Sequence, residues 1–203
     1  MSTSRMARRR AETRARLTNA ARELFAEQGF DVTRINEITD RADVGFGSFY
    51  NHFDSKDAIV EAVIEQAVEA HASAVDALTE SLDDPAEVMA VAHRYFVRLA
   101  GRDPVWAWLL VRLDTSHDVL RHVLGARATR DLQRGIDEGR FAVDDVPTAL
   151  FAMGGALLGV MRAVLDHVAG PTAEQAHAAG VLRMLGVDAA NAAAITERAL
   201  PEG

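Results

Sequence analysis

The 203-residue chain is 49% hydrophobic and 26% charged with a formal net charge of −8, the proportions of an ordinary globular protein rather than a disordered one. It has no cysteine, which excludes a disulfide framework, a thiol nucleophile and a zinc–thiolate site. The longest uninterrupted apolar stretch, Ala149 to Met161, is 13 residues, short of the roughly 20 that cross a bilayer, and no apolar run follows the basic N-terminus as a secretion signal requires. A cytoplasmic protein with no membrane partner is therefore expected.

The negative total hides an uneven distribution. Residues 1–56 have a net charge of +2 and residues 57–203 of −10, and within residues 1–16 Arg5, Arg8, Arg9, Arg10, Arg14 and Arg16 meet only Glu12. Residues 1–10 read as a flexible basic arm that suits a phosphate backbone, or as a solvated terminus of no consequence. A first helix is expected from about 11 to 28, with Leu17, Ala20, Ala21, Leu24 and Phe25 on one face. Gly29 ends it in the left-handed conformation and Phe30 packs back on its last turn. Thr33 caps a short helix over about 34–41, Ala42-Asp43-Val44-Gly45 forms a tight turn, and a second short helix follows over about 46–52 with Phe49 and Phe53 inward. Residues 34–53 thus read as a helix-turn-helix. A fourth helix starts at Asp54 or Ser55 and runs to about 79.

Asp84-Pro85-Ala86-Glu87 combines an N-cap, a first-turn proline and a glutamate at the third position, opening a helix that ends at Gly101. Asp103-Pro104 repeats the device, and Val105 to Val111 is apolar all round, as in a helix enclosed by others. Thr115-Ser116-His117-Asp118 caps a long helix that stops at Gly139, and further helices are expected over about 146–168, 172–185 and 188–200. With no repeat and no convincing strand, the fold class is all-α.

Ala21, Leu24-Phe25, Gly29-Phe30, Thr33, Ile38, Ala42, Val44, Gly47, Phe49-Tyr50, His52-Phe53 and Ser55-Lys56 stand in order and without a gap between Arg14 and Lys56. That constellation resembles the DNA-binding domain of the tetracycline-repressor (TetR) family and covers about a quarter of the chain. The resemblance implies an N-terminal three-helix DNA-binding domain with a helix-turn-helix over 11–56, and a larger helical ligand-binding and dimerisation domain over 57–203. It implies a homodimer that binds double-stranded operator DNA under control of a small-molecule effector, without a cofactor, and a repressor as the usual mode.

By the same resemblance Tyr50, His52 and Lys56 contact phosphate, and a phenol, an imidazole and an ammonium are competent donors to phosphate oxygens. Thr33 and Arg34 lie at a helix N-terminus, whose free amides also attract phosphate. Gly47 and Ser48 offer little bulk near the start of the recognition helix, and Phe46, Ser48 and Asn51 are placed toward base edges. Phe46 touches a thymine methyl or covers the turn. The chain departs from the family pattern at Asp43, where glycine is usual, and at Gly45, where a serine cap is usual. Aspartate tolerates a left-handed backbone and glycine caps a helix, so the departures bear on operator choice rather than on fold.

Candidates for lining an effector cavity are Met89, His93, Tyr95, Phe96, Trp106, Trp108, Met153 and Met161, with Arg112 and Asp114 either orienting a polar ligand or forming a surface pair. Trp106 and Trp108 are about 200° apart on a helix and cannot line one wall. Gly154, Gly155 and Gly159 each cost about 1 kcal/mol relative to alanine inside a helix, which points to close packing, either against a second subunit or within the chain. Catalysis finds no support: the seven histidines lack metal-ligand spacing, so no metal site is expected, and Ser116-His117-Asp118 are adjacent and suit capping rather than a triad. A competing reading is a helical small-molecule-binding protein that acts through protein partners without DNA.

Overall fold

Hydrophobic residues at helical spacing and caps at each break produce an all-helical chain. A computed structural model describes residues 2–112 and 116–201, without the side chains of residues 2–4, 109, 112, 116 and 117. Among the described residues the elements are α1 (Ser2–Gln28), α2 (Ile35–Arg41), α3 (Phe46–Phe49), α4 (Lys56–Thr79), α5 (Pro85–Arg102), α6 (Pro104–Arg112), α7 (Ser116–Asp137), α8 (Val146–Leu165), α9 (Ala173–Met184) and α10 (Ala189–Glu197). The expected cap at Thr115 and the Arg112–Asp114 pair lie outside the described residues.

The chain divides into two compact units, residues 1–67 and 68–203. The division falls inside α4 rather than at 56/57, because Ile59, Val60, Val63 and Ile64 in the first turns of α4 are buried. In the first unit, α1 buries Leu17, Ala20, Ala21, Leu24 and Phe25 with Ile38 of α2 and Phe49 of α3. Gly29, at φ +88°, donates its N–H to the Phe25 carbonyl at 3.0 Å, and the Phe30 ring meets Phe25 edge-on at 5.9 Å. A left-handed residue followed by a ring folded back is how this sequence ends a helix.

The N-terminal segment corrects the expectation of a flexible arm, since residues 2–10 continue α1. Arginine, alanine and methionine are good helix formers. Arg8 and Glu12 pair one turn apart at 3.5 Å. Arg10 and Arg14 are tied to the far end of the helix-turn-helix through the carbonyls of Asn51 and His52, at 3.1 and 2.7 Å.

In the second unit α5 is the central helix, packed against α6, α7, α8, α9 and α10. This differs from the expectation that α6 would be enclosed: α6 buries Trp106, Ala107 and Leu110 but leaves Val105 exposed. α5 opens on Asp84, which accepts the Ala86 N–H at 2.9 Å while Arg140 grips the same carboxylate with two bonds of 2.9 and 3.0 Å. That guanidinium holds the Asp84 carboxyl below its ordinary range. Glu174 of α9 is clasped by Arg94 and Arg98 of α5, and Arg94 also donates to the Arg198 carbonyl at 2.6 Å. At Gly135 a Cβ would run into the Phe141 ring, so only glycine lets the chain after α7 fold back onto it.

α8 is long and apolar enough, by length and composition, to cross a membrane, with a mean hydropathy of 1.7. The uninterrupted 13-residue stretch understated this because Pro147, Thr148 and the flanking residues extend the helix. It packs against α5, α6, α7 and α9, yet only 28% of its most apolar window is buried.

Candidate DNA-binding surface and ligand cavity

The helix-turn-helix is built on a turn that aspartate can supply. Asp43 stands at φ +51° and donates its N–H to Asp40 O at 3.1 Å, while Arg16 donates to the carbonyls of Ala42 and Asp43 and to the Asp43 carboxylate. Gly45 occupies the N-cap of α3. The helix itself spans only Phe46–Phe49, with Tyr50, Asn51 and His52 continuing as turns whose amides bond back to Ser48 and Phe49. Phe49 and Phe53 are buried beneath it.

Gly45, Phe46, Gly47, Tyr50 and Asn51 form an exposed strip, with Ser48 half-buried among them. The Phe46 and Tyr50 rings meet edge-on at 5.8 Å and are 53% and 51% exposed, too open for core residues. Lys56 lies 4.5 Å over the Phe30 ring and donates to Asp31 O at 3.3 Å, which holds its ammonium near α2. His52 is half-buried, its Nδ1 has no partner among the described residues, and burial together with Arg10 and Arg14 lowers its pKa. A neutral His52 offers at most one N–H donor.

Thr33 does not have the position expected of it. Its side chain is 1% exposed and its hydroxyl donates to the Gly29 carbonyl at 2.7 Å, while Arg34 takes the N-cap position and the Glu37 carboxylate accepts the Arg34 N–H at 2.7 Å. The side chain of Thr33 is thus removed from any phosphate. Arg34 is exposed.

Within the second unit a cavity of about 580 Å³ lies among α4, α5, α7 and α8, inside the roughly 300–1,000 Å³ usual for small-molecule sites. Met89, His93, Phe96 and Met153 line it as the sequence suggested. Tyr95, Trp106, Trp108 and Met161 do not. The Tyr95 hydroxyl lies 2.9 Å from His71 Nδ1, Trp106 packs against His71 and Phe96, Trp108 lies under the Arg162 guanidinium at 4.6 Å, and Met161 is fully buried core. Arg112 has no described side chain. Gly154 is among the residues that line the cavity, and a Cβ at Gly154 or Gly159 would meet nothing within 4 Å, so close packing inside the chain does not account for either.

The charged groups of the cavity are ones that sequence reasoning missed. Asp76 of α4 and Arg121, Arg127 and Asp131 of α7 line it. Arg127 donates to Asp76 at 2.7 Å and grips Glu69 of α4 at 2.7 and 3.0 Å, and Arg130 donates to Asp131 and Asp76 at 3.0 and 3.4 Å. These bonds raise the pKa of Arg127 and lower that of Glu69. At the other end His93 has its Nδ1 2.9 Å from His177 Nε2 on α9. Burial pushes His93 down to about 3 and His177 down to about 4, so both rings are neutral. No group of residues able to hold a metal ion occurs among the described residues.

A helix-turn-helix with an exposed recognition face, followed by a helical unit around a largely apolar cavity, is the architecture of a DNA-binding transcriptional regulator. Residues 17–63 match the model for bacterial regulatory proteins of the tetR family, and residues 84–198 match that for the tetracyclin repressor-like C-terminal domain. The chain belongs to the TetR family of transcriptional regulators. It is 43% identical over 54 residues to the HTH-type transcriptional regulator UidR of Escherichia coli (strain K12), a match of 27% of this chain and 28% of UidR, so the chain spans less than a third of that relative. A crystal structure of RolR in complex with resorcinol is 41% identical with a TM-score of 0.87, covering 97% of this chain and 98% of that one. RolR without ligand is 40% identical with a TM-score of 0.85, over 93% and 98% of the two chains.

Proposed function

We propose that the chain is a repressor that binds operator DNA as a homodimer and releases it when a small neutral phenol or diol enters the cavity. The observation that carries this reading is the cluster of Asp76, Arg127 and Asp131 at the wall of an otherwise largely apolar cavity. A flat ring suits Met89, Phe96 and Met153, and hydroxyls on it find carboxylate acceptors and a guanidinium donor, the chemistry that orients small ligands. Resorcinol, the ligand in the RolR complex, has that form. A hydroxyl that takes a donor of Arg127 competes with Glu69 and Asp76, both on α4, the helix that enters both units. In this reading the effector acts by loosening the ties between α7 and α4.

On the DNA side, Tyr50, Lys56, Arg34 and the remaining N–H of neutral His52 position the phosphate backbone, and Phe46, Gly47, Ser48 and Asn51 approach base edges from the Gly45 cap. The face of α8 that carries Ala152, Gly155, Ala156 and Gly159 is open and apolar, and we place the second subunit there. A cytoplasmic site of action follows from that role, with no membrane partner. The reading in which protein partners replace DNA is not favoured by a recognition strip whose exposed rings flank small residues.

The test is calorimetric titration with resorcinol beside a gel shift on the intergenic DNA next to the protein's own gene. One resorcinol per chain, DNA released on its addition, and loss of both responses in Asp131→Leu are expected. A wild-type protein that ignores resorcinol would remove the ligand class, and one that ignores the DNA at low salt would remove the repressor.

A further inference from the structure

The His93–His177 pair is left unexplained by the DNA-binding reading. His93 lies on α5 and lines the cavity, and its Nδ1 is 2.9 Å from Nε2 of His177 on α9, which does not line it. The rings are tilted by 54° with centroids 5.0 Å apart, a hydrogen-bonding rather than a stacked arrangement. Each neutral imidazole has one donor and one acceptor nitrogen, and the contact between the rings holds one proton. The two nitrogens of a ring point to nearly opposite sides, so with Nδ1 engaged by His177, His93 has Nε2 left for the cavity.

We propose that His93 is a second polar contact for the effector and that its pairing with His177 transmits the polarity of that contact to α9. The inference rests on the cavity being the effector site. Two arrangements of the pair are compatible with the shared proton. In the first, His93 carries its proton on Nδ1 and donates to His177 Nε2; His93 Nε2 is then a bare acceptor facing the cavity, and His177 carries its own proton on Nδ1. In the second, His177 donates from Nε2 to a bare His93 Nδ1, and His93 Nε2–H is a donor toward the cavity. A ligand hydroxyl that donates selects the first, and a ligand that can only accept selects the second.

Passing from the first arrangement to the second conserves protons. The shared proton moves from His93 Nδ1 to His177 Nε2, the half-buried His177 gives its Nδ1 proton to solvent, and His93 Nε2 takes one from water in the cavity. Both rings are neutral in each of the two arrangements. Because the switch ends on α9, the character of the bound ligand is registered on a helix that packs against α8, α5 and α10 without any side chain having to move. A free phenol, which donates to the bare Nε2, is thereby held more strongly than its ether, a weak acceptor, and His177 is a positioning residue in that preference.

The experiment compares resorcinol with 1,3-dimethoxybenzene, which has the same ring and can only accept. On the full-length protein, nitrogen-15 spectra of the histidine rings are expected to show a coupling between His93 and His177 through the shared proton, with resorcinol fixing the Nδ1–H form of His93. His93→Phe should weaken resorcinol by about 2- to 10-fold, the effect of one buried hydrogen bond, and the dimethoxy compound by less, because an aryl ether is a weak acceptor of the Nε2–H. His177→Leu should narrow the preference for resorcinol in the same direction although it does not touch the ligand, and His177→Gln, whose amide can donate or accept, should restore it. Rings that show no shared proton, or a preference untouched by both His93→Phe and His177→Leu, overturn this inference alone. A wild-type protein that binds no resorcinol overturns it together with the effector reading.

Discussion

Arg14 donates to the main-chain carbonyl of His52 at 2.7 Å while its guanidinium lies 4.1 Å over the Phe53 ring. An arginine in the basic N-terminal run thereby helps to hold the end of the recognition segment onto α1. Arg10 and Arg16 act in the same way, on Asn51 and on the Ala42–Asp43 turn. Replacing Arg14 by alanine is expected to lower the stability of the folded chain by about 1 kcal/mol, from one exposed charged hydrogen bond and one cation–π contact. Thermal denaturation of Arg14→Ala in the absence of DNA measures it.

Arg5 and Arg9 differ: neither side chain has a hydrogen bond or ion pair among the described residues, and both are exposed one turn apart on α1. In the double variant Arg5→Ala, Arg9→Ala the melting temperature should stay at the wild-type value. The slope of log affinity for duplex DNA against log salt should become shallower by about 0.9 for each phosphate that the variant no longer neutralises. An unchanged slope would assign these two side chains to solvent.

Tyr50→Ala should weaken binding to every DNA sequence by a similar factor, because a phosphate contact positions the protein without reading bases. Changes at Phe46 or Asn51 should alter the preferred sequence instead. Selection from a randomised DNA pool, run on Tyr50→Ala and Asn51→Ala in parallel, separates the two: a shifted consensus in the first or an unshifted one in the second would reverse the roles.

Gly155→Asp places a charge on the open apolar face of α8. A charge buried there without a partner is costly, so the variant should sediment as a monomer with its helical content retained. DNA affinity should collapse with it, since two recognition helices read successive grooves only when held about 34–36 Å apart. A dimer that persists and binds normally would direct the search for the subunit contact to another face.

Acid should unfold the protein in a window set by the buried histidines. His93 and His177 are pushed down by burial to about 3 and about 4, whereas in an unfolded chain each takes a proton near 6.5. Between those values the unfolded state binds more protons, so stability rises with pH there. The contribution is fully present above about 6.5 and is lost as the pH falls toward 4. Melting temperatures measured across that interval should fall for wild type, and less steeply for the double variant His93→Phe, His177→Leu.

What could be read from the sequence was local. Asp84 and Asp188 cap α5 and α10 through single side-chain bonds to amides two and three residues ahead, and Gly29 ends α1, because each of these depends on a few neighbouring residues. Asp43 adopts the left-handed turn that its side chain permits. Thr33 was misplaced because a threonine before a helix looks like a cap whether its hydroxyl turns forward to the helix or back to Gly29. The polar wall of the cavity was missed for a different reason. Arg127 and Asp131, four residues apart on α7, have the look of a solvated pair until Asp76 of α4, 51 residues away in the chain from Arg127, closes on them. Tyr95 and Trp106 were wrongly assigned to the cavity because size and aromaticity do not say which face of α5 or α6 turns toward it.

In the proposed reading, the cluster at the cavity wall also bears on the charge of the ligand. Asp76 and Asp131 line that wall with Arg121 and Arg127, Glu69 and Arg130 are paired into the same cluster, and Arg121 is paired with the exposed Asp118. A molecule arriving there as an anion finds the cations already engaged by carboxylates, whereas an uncharged one need only exchange hydrogen bonds. In the effector reading proposed above, the phenol left when an aromatic acid loses its carboxylate would suit this wall better than the acid itself.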